Sequence, residues 1–148
     1  MSLSIRLSST MTSAEMVPHG ETITACLRRF VDRYADQITL ESVWSDIVRG
    51  DVQLWLITDD ETGAVVMVQL TEIIDNLATG RRVVRLLNTG GGRFFDALPL
   101  IDEIEAWARD VAKASEIEAV GRKAFVRVLE PRGYRFASVT VSKRLAGD

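Results

Sequence analysis

The chain has 148 residues, 47% of them hydrophobic and 26% charged, with a net charge of −3. That is enough chain for one soluble globular domain, 1–148, burying roughly two-thirds of its unfolded surface. The charge gives no broad basic field for nucleic acid, and no apolar run reaches the roughly 18 residues a membrane span needs.

The first stretch, MSLSIRLSSTMTS, lacks a charged start, an apolar core and a cleavage site in sequence, so it does not read as a secretory signal. Its single cysteine, Cys26, and single histidine, His19, allow no internal disulfide and no Cys/His zinc set. A reducing, cytoplasmic setting without a metal is therefore expected. Residues 21–37 place Ile23, Cys26, Leu27, Phe30, Val31 and Tyr34 at helical spacing, so Cys26 and Tyr34 read as core. A second helix runs from a Thr39 cap, with Leu40, Val43, Trp44, Ile47 and Val48 as its stripe, to a stop at Gly50.

Strands follow at 52–58, 64–74 and 81–89, separated by the turn clusters DDETG and DNLATG, which together predict an antiparallel meander. The stretch LLNTGGGRFFDALPL, 86–100, then sets three glycines between a strand and a helix. Such a corner either cradles a phosphate on converging amides or simply redirects the chain. A long helix is predicted from an Asp96 cap through Leu98, Ile101, Ile104, Trp107, Ala108, Val111 and Ala112, with Pro99 in its first turn. IEAVG, 117–121, is a short strand reached by a parallel crossover. A short helix over 123–133 and a final strand over 134–145 complete the prediction, with Arg122 and Lys123 as solvated charge. The class is α+β (α/β): a mixed central sheet, antiparallel meander then parallel β-α-β crossover, with helices on both faces.

This order, together with the closing VGRKAFVRVLEPRGYRFASVTVSKRL, resembles the GNAT superfamily of acetyl-CoA-dependent N-acetyltransferases over about Glu21 to Leu145. LLNTGGG, LIDEIEAWA and GRKAFVRVLEPRGY look like the divergent GNAT-like proteins of phages and prophages. The resemblance implies that acetyl-CoA enters where the fourth strand parts from the fifth. Main-chain amides there polarise the thioester, and an Arg/Gln-x-x-Gly-x-Gly/Ala loop holds the pyrophosphate. Carried over, the cofactor-binding residues are Leu87, Asn88, Thr89, Gly90, Gly91, Gly92 and Arg93.

Three departures stand out. Leu87 replaces the leading Arg/Gln, and Arg93 to Asp96 intervene before the expected helix cap. Leu129 stands where many relatives have a tyrosine acid. No catalytic residue is assigned: Glu72 is the best-placed carboxylate but reads as strand surface, and Tyr134 reads as packing. The expectation is a GNAT-fold protein with a degenerate acetyl-CoA site, a non-catalytic or altered binding or structural module of phage or prophage origin. The alternative is an acetyl-CoA-dependent N-acetyltransferase acting on an amine by direct transfer. Acyl-CoA or another small ligand is the expected partner, and a homodimer would cover the meander edges, Phe94 and Phe95.

Overall fold

The computed structural model describes residues 2–121 and 124–146. Five strands, β1 (Leu3–Leu7), β2 (Gln53–Asp59), β3 (Val65–Asn76), β4 (Arg81–Gly91) and β5 (Glu116–Ala119), form one sheet in that spatial order. The first three pairings are antiparallel and β4–β5 is parallel. Between β1 and β2 lie α1 (Ser13–Met16), α2 (Gly20–Arg33) and α3 (Leu40–Arg49). Between β4 and β5 lie α4 (Phe94–Ala97) and α5 (Ile101–Asp110), and α6 (Phe125–Leu129) follows β5. The mixed sheet with helices on both faces is the architecture that the hydrophobic periods imply.

Local chemistry explains the elements that position the cleft. In α3, Thr39 and Ser42 exchange hydrogen bonds of 3.1 and 3.0 Å, and Gly50 ends the helix at φ 82°. Such a reciprocal cap satisfies two amides that the first turn leaves unpaired. The α2 stripe (Ile23, Cys26, Leu27, Phe30, Val31) is buried against Leu54, Leu56, Val68 and Leu70 on one sheet face. Burial pushes the Cys26 thiol pKa up, as befits a core cysteine. The docking is close because a Cβ on Gly90 would stand only 1.9 Å from the Cys26 carbonyl oxygen. On the other face Trp55, Leu86, Ile101, Ile104 and Leu129 pack together, and Trp55 meets Trp107 edge-on at 5.2 Å.

Several predicted boundaries change. β1 was not predicted; Leu3, Ile5 and Leu7 alternate and pair with Asp59, Ile57 and Trp55, but five residues give a weak signal. α2 stops at Arg33 instead of Gln37. The long helix starts at Phe94, ahead of Asp96, and Pro99 breaks it with a 3-10 turn at Leu98–Leu100. The proline lacks the N–H that a continuous α-helix uses. No strand forms over 134–146: the segment has no ladder partner, and Val139 and Val141 are exposed. Alternation specifies which side chains would share a face, but it supplies no neighbouring edge. Arg122 and Lys123, and with them the predicted start of the last helix, lie outside the described residues.

Gly90→Ala is expected to lower stability by about 1–3 kcal/mol, since α2 must move off β4. Gly92→Ala, whose added methyl meets nothing within 4 Å, is expected to be nearly neutral. Denaturant unfolding of the two variants checks the contrast; equal losses would contradict it.

Candidate functional site

The site is made by two strands of unequal length. The β4–β5 ladder ends at Leu86 and Ala119, with the Val120 N–H donating to the Leu86 carbonyl at 3.1 Å. β4 continues through Leu87 to Gly91, paired on its β3 side alone. Its register against β3 shifts here: Gln69 faces Thr89 and Thr71 faces Leu86, so Leu87 and Asn88 together oppose Leu70. This bulge re-aims the β4 backbone at the point where its other edge is uncovered. The buried Gln69 amide group pins the bulge, donating to the carbonyls of Leu70 at 2.7 Å and Asn88 at 3.4 Å.

A cavity of about 310 Å³ fills the opening. Leu87, Asn88 and Thr89 line it, opposite Val120, Phe125 and Val128 beyond β5. Phe30, Arg33 and Tyr34 close one side from the end of α2, a group the sequence reading did not assign to the site. Their i, i+3, i+4 spacing puts them on one helix face, which was the available signal. Among the described residues, the lining carries Arg33 as its one charged side chain, with no carboxylate, histidine or cysteine.

The other predicted cofactor residues do not line the cavity. Gly90 takes the α2 backbone, as described above. Gly91 has φ 121°, and a Cβ there would lie 2.4 Å from the Val66 carbonyl oxygen. The Gly92 N–H already donates to that same oxygen at 3.2 Å. Arg93 adopts the left-handed region, φ 63°, and turns the chain straight into α4. Only this residue separates the last glycine from the helix, so the predicted four-residue displacement does not occur. A left-handed arginine costs roughly 1–2 kcal/mol. Its guanidinium contacts, 3.2 Å each to buried Asp59 and to Asp96, oppose that cost.

The remaining candidates sit apart from the cavity or carry no proton for it. Leu129 lines the cavity and is buried, an alkyl group with no proton to give. The Tyr134 hydroxyl donates to Glu105 at 2.7 Å; burial first, then that carboxylate, hold the phenol protonated above its usual range. Glu72 binds Arg85 at 3.3 Å, and Arg85 also binds Glu118 at 2.6 Å, a triad across three strands. His19 stands at the start of α2, outside the lining. Among the described residues no group of carboxylate, histidine and cysteine side chains could hold a metal.

The two ends of the site differ in chemistry. Apolar walls lie beside the uncovered strand edge, the usual make-up of a small-molecule pocket. At the tri-glycine, the guanidinium of Arg93 is already held by two carboxylates of the protein.

No protein-family model and no curated protein matches the sequence. Solved structures do match its fold. A probable acetyltransferase superposes with TM-score 0.70 at 13% identity, over 100% of both chains. A possible acetyltransferase from Clostridium difficile 630 gives 0.69 at 8%, over 99% of each. Glucosamine-6-phosphate N-acetyltransferase from Arabidopsis thaliana gives 0.64 at 12%, over 99% of this chain and 100% of that one. At such identities the likeness establishes the fold alone, a GNAT-like mixed sheet with helices.

The Tyr134 contact carries a pH signature. Its phenol has a raised folded-state pKa, so its contribution is complete below about pH 10 and is lost as the pH rises beyond that. Tyr134→Phe is expected to cost about 1 kcal/mol at neutral pH and to flatten the alkaline fall in melting temperature. Identical alkaline profiles for the two proteins would contradict the assignment.

Proposed function

We propose that the protein binds an acyl-CoA in the opening between β4 and β5 and passes the acyl group to an amine. One observation carries this reading: β4 outruns β5, and a cavity of about 310 Å³ lies where they part. Leu87, Asn88 and Thr89 are the residues that would hold the arm and the thioester, with Gln69 fixing the bulge that aims their backbone. A bound acyl-CoA supplies an activated acyl carbon: its C–S bond breaks as a C–N bond forms, and the thiol leaves with the proton the amine gives up. The protein's part is positioning and backbone polarisation, which can carry most of an acyl transfer without an acid side chain. Phe94 opens α4 directly after Arg93, which supports this reading over a displaced helix start.

A second reading has its own support. The described lining offers no carboxylate or histidine, and Leu129 is apolar where the resemblance gives a tyrosine. On that reading the chain is a GNAT-fold binding or structural module, and the phage or prophage placement rests on overall likeness that the neighbouring genes would test.

Coenzyme A at 100 times its dissociation constant is expected to add about 2.7 kcal/mol of stability, a melting shift of several degrees. Thr89→Trp, which fills the opening, is expected to abolish the shift. No shift with any coenzyme A compound would end the proposal. With binding established, thiol release from acetyl-CoA or octanoyl-CoA over a panel of primary amines separates the readings; binding without release from either donor favours the module.

A further inference from the structure

The cavity is not confined to the gap between β4 and β5. Its wall includes Leu86 of β4, Met67 of β3, Ile57 of β2 and Ile5 of β1, so it runs across the sheet to the far strand. Neighbouring strands lie roughly 4.8 Å apart, which makes that run about 14 Å. Ala97 and Leu100 line it from above, on either side of the break at Pro99. All six side chains are hydrocarbon or thioether. The Gln69 amide also lines the cavity, and its NH2 is committed to two backbone carbonyls. Water in such a space lacks the two to four polar partners that hold a buried water. From this extent and lining we infer that the acyl group is a medium-length hydrocarbon chain, about eight carbons, and not acetyl.

The inference rests on the acyl-CoA reading above. A bound acyl group fills this run in proportion to its heavy atoms. An acetyl group has three, and would leave the run from β3 to β1 unfilled. An octanoyl group has six more carbons, enough to cross under the broken helix. The small, buried Ala97 is the natural gate on its length.

Isothermal titration of the whole chain with coenzyme A, acetyl-CoA and octanoyl-CoA tests it directly. Each buried methylene is worth up to about fourfold, so octanoyl-CoA is expected to bind at least tenfold more tightly than acetyl-CoA. Ala97→Phe, with Ala97→Leu as the milder variant, is expected to bring octanoyl-CoA to the affinity of acetyl-CoA. Equal or weaker binding of octanoyl-CoA to the unaltered protein would overturn the inference and leave acyl-CoA binding standing. An undiminished octanoyl advantage in a folded Ala97 variant would overturn its placement. No binding by any of the three would instead sink the proposed function.

Discussion

The site depends on one uncovered strand edge. β4 has two neighbours from Val83 to Leu86 and one neighbour from Leu87 onward, because β5 ends at Ala119. Local steric choices mark each strand where the ladder ends. After β5, a Cβ on Gly121 would lie 2.4 Å from the Phe125 ring, so the absent side chain lets α6 close down at the cleft rim. On β4, the bulge opposite Leu70 re-aims the backbone, and Arg93 turns it into α4. A sheet zipped along its full length would have no such opening.

The three glycines do three different jobs. Gly90 admits α2, Gly91 meets the edge of β3 at positive φ, and Gly92 forms the bend before Arg93. A glycine run at a strand-to-helix corner therefore does not by itself mean a phosphate cradle. Here two of the three absences of a side chain are explained by backbone approaching backbone, which no other residue permits. Arg93 shows the same economy: its guanidinium joins the end of β2 to the start of α4 through Asp59 and Asp96.

What could be read in the sequence follows from how local each cause is. The α3 cap at Thr39 and stop at Gly50, the meander, and the buried face of α2 are written in spacings of two to four residues, and they stand as read. The start at Phe94 was not legible, since it relies on a left-handed arginine held by Asp59, 34 residues away. The segment 134–146 shows the converse: its alternation is local, while a strand needs an edge that only the tertiary fold can offer. At the site, Leu87, Asn88 and Thr89 were named from the resemblance and do face the cavity. Arg33 and Tyr34 were hidden, because their part in it depends on where the end of α2 lands.

The most direct measurement is residue-resolved amide chemical-shift mapping during titration with octanoyl-CoA. Perturbations are expected to cluster at Leu87, Asn88, Thr89 and Val120, the backbone on either side of the parting strands, and to extend to Ile57 and Met67 along the cavity floor. Saturable changes confined to surfaces remote from β4, or none at all, would contradict the account.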